Sequence, residues 1–208
     1  NITTPKRVES VITLILAAGA SRRMGNIKAL LPWGTKTVLE HLLDEAAASG
    51  SGETLIVTGA YQEDVLGVLG PSSHRTHHNP DWKAGMGSSL ASGVREVERR
   101  FPEADALLVL LADQPLITRD YLRQIRGEHQ EYPGHMIASD YGKSAGVPAL
   151  FPRRFWKALK DLSRDQGAKG LIASRKAECR VLDPGPAITD IDTPEAYAKA
   201  LRKAGIKP

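Results

Sequence analysis

Residues 11–28 constrain this chain more than any other stretch. Val11-Ile12-Thr13-Leu14-Ile15-Leu16 is an apolar, β-branched run about the length of a buried strand. It passes directly into Ala17-Ala18-Gly19-Ala20-Ser21-Arg22-Arg23-Met24-Gly25-Asn26-Ile27-Lys28. Ala17, Ala18 and Gly19 carry so little side chain that a ligand can approach the backbone closely. Successive N–H groups in such a loop form an anion-binding nest, and Arg22, Arg23 and Lys28 set fixed positive charge around it. A strand feeding this loop is suited to phosphate; a basic surface turn after a core strand is the competing reading. No Lys-Ser or Lys-Thr follows Gly25, so the loop is not a P-loop. Gly19-Ala20-Ser21 breaks the dinucleotide fingerprint, which argues against an NAD-type oxidoreductase.

Strand-like runs then alternate with helical patterns, which predicts an α/β domain with a mostly parallel central sheet. Strands are expected near 11–16, 54–58, 75–78 at an edge, 106–111 at the sheet centre, 135–139, 147–151, 179–182 and 187–191. Pro148 argues that 147–151 is also an edge. Helices are expected from Thr35 or Thr37 to about 49, then near 61–69, 86–99, 118–130 with Thr118 as N-cap, 153–162 and 168–174. Thr193-Pro194-Glu195 opens the last one. Trp156 belongs to an amphipathic helix and is expected in the core.

At 208 residues the simplest expectation is one domain over 11–208 after a polar tail at 1–10. The net charge of +4 suits an anionic small molecule, and no basic stripe interleaves with aromatics, so no nucleic-acid partner is expected. Cys179 is the only cysteine, which rules out an intramolecular disulfide and points to a reducing, cytoplasmic setting, with the thiol half-buried on a strand. No run approaches about 18 apolar residues, so neither a membrane span nor a signal peptide is expected.

Several residues invite chemistry. Asp113 follows the most apolar strand, where ligands sit in open α/β sheets; it suits Mg²⁺, or else an Asx-turn or helix cap. Ser88 and the helix start after Gly85 suit a nucleotide, or else simple capping. His74, His77 and His78 cluster, but 77 and 78 point to opposite faces of a strand and no further ligand is spaced to complete a metal site.

The pattern L-A-A-G-x-S-x-R-M-G-x-x-K over 16–28, followed by Leu31-Pro32-Trp33, resembles the opening signature of the MobA-like nucleotidyltransferases, nearest the molybdenum-cofactor cytidylyltransferases. Four later stretches fit the same family in order. They are Asn79-Pro80-Asp81-Trp82 with Gly85-Met86-Gly87-Ser88-Ser89-Leu90; Ala112-Asp113-Gln114-Pro115; Gly146-Val147-Pro148-Ala149-Leu150-Phe151; and Asp190-Ile191-Asp192-Thr193-Pro194-Glu195. Asp165-Gln166-Gly167-Ala168-Lys169 resembles a further turn, with Arg164 where glycine is usual.

The resemblance implies a three-layer, Rossmann-like domain of the nucleotide-diphospho-sugar transferase type. It implies Mg²⁺-dependent transfer of CMP from CTP to the terminal phosphate of a molybdopterin-type acceptor. It assigns Arg22, Lys28 and Asp113 to catalysis, and Asp113 and Asp192 to the metal, with Asp190 in reserve. Leu16, Ala17, Ala18, Gly19, Ser21, Arg22, Arg23, Met24, Gly25, Lys28, Thr58, Gly59, Asn79, Gly85, Met86, Ser88 and Asp113 bind nucleotide in this reading. The segment from Gly146 to Pro148 borders the acceptor, and a molybdenum hydroxylase is a further, transient partner. Another nucleotide or phosphorylated acceptor, or a cofactor-delivery role for such a hydroxylase, are the alternatives.

Overall fold

The apolar alternation of the first strand sorts the whole molecule into layers. The structure is a computed structural model that describes residues 10–20, 26–50, 52–70, 75–162 and 167–207. In chain order its strands are β1 (Val11–Ala17), β2 (Pro32–Trp33), β3 (Lys36–Thr37), β4 (Thr54–Thr58), β5 (Arg75–His78), β6 (Ala106–Leu111), β7 (Met136–Asp140), β8 (Ala145–Pro152) and β9 (Cys179–Leu182). Its helices are α1 (Val38–Ala48), α2 (Gln62–Leu69), α3 (Met86–Arg100), α4 (Arg119–Glu131), α5 (Trp156–Lys160), α6 (Ala168–Ser174) and α7 (Pro194–Lys203). Val11 and Ile15 pack with residues of α1, α4 and α7, whereas Ile12, Leu14 and Leu16 pack with α3, α5 and α6. That period of two makes a sheet buried on both faces, and explains why β1, apart from Thr13, and β6 are apolar.

The main sheet runs β5-β4-β1-β6-β8-β7-β9, with β6 at its centre as expected. β5, β4, β1 and β6 are parallel; β8 is antiparallel to both β6 and β7; β9 is parallel to β7. Helix starts follow their caps. Thr37 and Glu40 form a reciprocal capping box for α1, Thr118 accepts from Tyr121 N for α4, and Thr193 accepts from Ala196 N for α7 with Pro194 in the first turn. Trp156 is core, its Nε1 donating to Phe151 O at 3.1 Å. Cys179 is half-buried on β9, and burial pushes its thiol up to about 11. Among the described residues no helix is long and apolar enough to cross a membrane.

Two expectations are corrected. β8 is an interior strand, despite Pro148. The β7–β8 register jumps from Ala138↔Ala149 to Ser139↔Gly146, leaving Val147 and Pro148 in a bulge where a missing N–H breaks no ladder bond. Ser139 Oγ donates to the Pro148 carbonyl at 2.6 Å there. The stretch 187–191 is not a strand: Gly185–Ile188 is a 3-10 turn, and the chain then continues without regular structure to Thr193. Its backbone is tied to the end of β6 by a bond from Ile191 N to Asp113 O, 3.0 Å.

Helix α3 lies close on the sheet because Gly93 has no Cβ. One built there would fall 2.7 Å from Val57 Cγ2 and 2.9 Å from Leu14 Cδ2. Further along α3, Glu96 accepts from Arg99 Nη2 at 2.7 Å and from Arg100 Nε. The Arg99 hydrogen bonds, opposed by burial and aided by Arg100, hold its carboxyl down at about 2, against an ordinary 4.5. A depressed carboxyl stabilises the fold fully above its unfolded pKa and loses that contribution as pH falls through the folded one. Glu96→Gln is therefore expected to cost about 1 kcal/mol at pH 7, discounted for the exposed Arg99. The difference from wild type should shrink between pH 4.5 and 2, as read by urea unfolding across that range.

Candidate active site

The parallel strands β1, β4 and β6 end on one side of the sheet, with Ala17 opposite Thr58 and Leu16 opposite Leu111. The chain steps outward from β1 to β4 and β5, then returns to place β6 on β1's other side. The crevice between β1 and β6 is thus the switch point where open α/β sheets bind ligands. A cavity of about 510 Å³ opens there, lined by Leu16, Ala17, Ala18, Gly19, Lys28, Gly85, Met86 and Asp113 among the expected residues. It is also lined by Ala20, Ile27, Trp82, Lys83 and Ser89, which the sequence reading did not assign to the site.

At its floor one cation joins two carboxylates. Lys28, on a 3-10 turn, donates from Nζ to Asp113 Oδ2 at 3.0 Å and to Asp192 Oδ1. Burial pulls the Lys28 pKa down, but the charges and hydrogen bonds of Asp113 and Asp192 outweigh it and the net shift is upward, so the ammonium is held charged. The Ile191–Asp113 backbone bond brings the 190–192 segment to the end of β6. Ile191 is wholly buried in the core, while its neighbours Asp190 and Asp192 bond Gln114 and Lys28.

The residues present suit a hard divalent cation. Asp113 Oδ1 is buried and has no hydrogen-bond partner among the described residues, which is costly for a carboxylate unless a ligand satisfies it. One or two carboxylates plus substrate phosphates are what Mg²⁺ takes. Among the described residues no group of three or more His, Cys, Asp or Glu gathers, so phosphate oxygens would have to complete such a site.

Four expected residues lie behind the cavity wall rather than on it. Asn79 is buried and donates from Nδ2 to Ser88 Oγ (3.1 Å) and Ser89 Oγ (3.0 Å), while its Oδ1 accepts from Asp81 N. Ser88 Oγ donates onward to Asp81 O at 3.1 Å. These bonds knit 79–89 into the rigid approach to α3. Thr58 is buried and donates to His77 O. A Cβ on Gly59 would fall 2.6 Å from Ala18 O and 2.7 Å from Trp82 Cβ, so this glycine lets the β1 loop and Trp82 close together. His77 Nε2 bonds Ser92 Oγ at 2.7 Å. Ser21, Arg22, Arg23, Met24 and Gly25, together with His74 and residues 163–166, lie outside the described residues.

A second cavity of about 820 Å³ adjoins the first, sharing Leu16, Met86 and Leu111 with it. Asp190, Tyr141 and Lys169 line it. Gln114, fully buried beside Asp113, donates from Nε2 to Tyr141 Oη and to Asp190 Oδ1, both at 2.9 Å. Burial raises the Tyr141 hydroxyl to about 12, and it donates to Val147 O. Asp190 opens to the cleft, yet the protein packed about it desolvates the carboxylate and raises its pKa; the Gln114 bond opposes this and Asp113 and Asp192 add to it. The partnership of Gln114 was not legible in sequence, because its two partners lie 27 and 76 residues away.

The chain resembles known proteins along most of its length. It is 31% identical over 204 residues to the purine catabolism protein PucB of Bacillus subtilis, covering 92% of this chain and 96% of that protein. It is 28% identical over 202 residues to the nicotine blue oxidoreductase of Paenarthrobacter nicotinovorans, with the same coverage. To the molybdenum cofactor cytidylyltransferase of Escherichia coli it is 29% identical over 140 residues, 62% of this chain and 70% of that one. Among solved structures, Rv0371c of Mycobacterium tuberculosis superposes with a TM-score of 0.81 at 27% identity, covering 95% of this chain and all of that one. A manganese complex of the same protein superposes at 0.75, with 25% identity and coverage of 93% and 98%. The sheet and its flanking helices have the nucleotide-diphospho-sugar transferase fold. With residues 13–179 matching the family described as the MobA-like NTP transferase domain, and the cleft lying at that fold's switch point, the chain belongs to that nucleotidyltransferase family.

Proposed function

We propose that residues 11–208 form one cytidylyltransferase domain. It transfers CMP from CTP to the terminal phosphate of a molybdenum-molybdopterin acceptor in the cytoplasm and releases pyrophosphate. The observation that carries this reading is the Lys28 bridge between Asp113 and Asp192, with Lys28 and Asp113 lining the smaller cavity beside a larger one. One cavity takes the triphosphate, the other the acceptor. The likeness to the E. coli cytidylyltransferase and the sequence Leu16-Ala17-Ala18-Gly19, where guanylyl-transferring relatives typically carry a second glycine in place of Ala18, favour CTP.

The acceptor's phosphate oxygen attacks the α-phosphorus, a new P–O bond forms, and the bond to the β-phosphate oxygen breaks with its electron pair leaving on pyrophosphate. A phosphate is already a competent nucleophile, so no strong general base is required. The protein's work is to hold two anions together in line and to neutralise the charge between them. Lys28, with Arg22 and Arg23, would meet the triphosphate, while the N–H groups after β1 cradle it. Asp113 and Asp192 would hold a divalent cation, which supplies charge neutralisation at the phosphates. Mg²⁺ is proposed; the manganese complex of Rv0371c supports a divalent ion in this family. Delivery to a molybdenum hydroxylase is a further step that the same reading allows.

Calorimetry with CTP, GTP, ATP, UTP and NADPH, each with and without Mg²⁺, tests the proposal. Selective, Mg²⁺-assisted CTP binding is expected. Selectivity for GTP or ATP would replace the nucleotide and keep the mechanism. NADPH binding without any triphosphate binding would overturn it in favour of an oxidoreductase, the activity named for the P. nicotinovorans relative.

A further inference from the structure

The larger cavity differs in kind from its neighbour. Its walls include Leu90, Val109, Leu111 and Leu171, and the charged side chains on its described lining are Lys169 and Asp190. Such a space suits a flat ring system with apolar faces and a polar edge. Asp190 is separate from the Lys28 ion pair, which takes Asp113 and Asp192. Its Oδ1 accepts from Gln114, and its Oδ2 makes no hydrogen bond among the described residues. A carboxylate oxygen has capacity for about two bonds, so Asp190 retains acceptor sites on both oxygens, set side by side. The Tyr141 hydroxyl is spent on Val147 O, which leaves its ring as a fixed wall, with Lys169 Nζ 4.4 Å from the ring centroid. Gly146 lets Lys169 and Tyr141 pack closely there, since a Cβ on it would fall 3.1 Å from Lys169 Cε and 3.2 Å from Tyr141 Cε2.

We propose that Asp190, held in place by Gln114, is the specificity-determining residue of the acceptor cavity and recognises an aminopyrimidinone edge, the paired ring N–H and exocyclic amine that pterins and guanine share. This rests on the reading that the second cavity is the acceptor side. The paired donors match the two carboxylate oxygens as a fork, the ring faces lie on the apolar walls, and the phosphorylated tail leads across the shared lip of Leu16, Met86 and Leu111 toward Lys28. Gln114 is a positioning residue. It fixes the carboxylate's orientation and ties it to the residue next to Asp113.

Fluorescence and calorimetric titration of the full chain with pterin, guanosine and lumazine, which lacks the exocyclic amine, tests this. Pterin or guanosine is expected to bind roughly tenfold or more tightly than lumazine, and Asp190→Ala to weaken the better ligand by a similar factor. Which of the two binds identifies the source of the edge. Asp190→Asn serves as a second, isosteric variant, and it too is expected to weaken the better ligand. Equal binding of lumazine, wild-type affinity in both Asp190 variants, or no binding of any ring would overturn the assignment. Mg²⁺-CTP titration of the same samples separates that result from failure of the nucleotidyl-transfer reading, which would show there instead.

Discussion

Asp113→Asn is expected to lower pyrophosphate release by about a hundredfold or more, while the protein unfolds within about 1 kcal/mol of wild type. The change is isosteric and leaves the Ile191–Asp113 backbone bond in place, so the 190–192 segment should stay docked. What it removes is charge. Asp113 Oδ2 is an anionic partner of Lys28, as Asp192 is, and Oδ1 is a buried oxygen with no partner among the described residues. An amide there offers one neutral oxygen and two N–H groups, the wrong complement for both an ammonium and a divalent cation. A second readout is the Mg²⁺ dependence of CTP binding, which should flatten. Near-normal turnover with an unchanged Mg²⁺ requirement would remove Asp113 from the metal site and leave it a structural link between Lys28 and Ile191.

The elements that were legible before the structure share one property: their signals are local. Thr37 with Glu40, Thr118, and Thr193 with Pro194 each mark a helix start through bonds made within a few residues. The Val- and Leu-rich runs of β1, β4 and β6 carry burial in their own composition, and Asp113 stands out because it ends the most apolar of them. The signals that misled or stayed silent are set by distant partners. Pro148 reads as an edge residue until the bulge opposite Ser139 is seen to excuse it. The bonds that join Asn79 to Ser88 and Ser89, and both ends of that link to Asp81, carried no signal in the chain. Gln114 carries no motif of its own beyond adjacency to Asp113, and only the fold brings Tyr141 and Asp190 to its amide. Asp190 and Asp192 look equivalent in the chain. They are separated by what meets them, an amide for one and an ammonium for the other.

Lys28→Met should separate two effects that a simple loss of function would merge. The substitution keeps a long unbranched side chain and removes the ammonium between Asp113 and Asp192. Two carboxylates that shared a cation are then left facing each other. Because Asp192 is 46% exposed, the resulting repulsion is screened, and the stability cost should be about 1 kcal/mol, well short of that for breaking a deeply buried pair. Turnover should nonetheless fall by about a hundredfold, since positive charge is lost where negative charge develops at the triphosphate. Divalent-ion affinity of the free protein should move the opposite way and rise, because the carboxylates no longer have a competing cation. Lys28→Arg should recover little turnover: a planar guanidinium cannot replace a compact ammonium held between two separate carboxylates. Single-turnover pyrophosphate release and Mn²⁺ titration of the same variant give both readouts. A fall in turnover accompanied by a fall in metal affinity would mean that Lys28 organises the two aspartates for the ion rather than occupying their place, and its direct role at the triphosphate would then be lost.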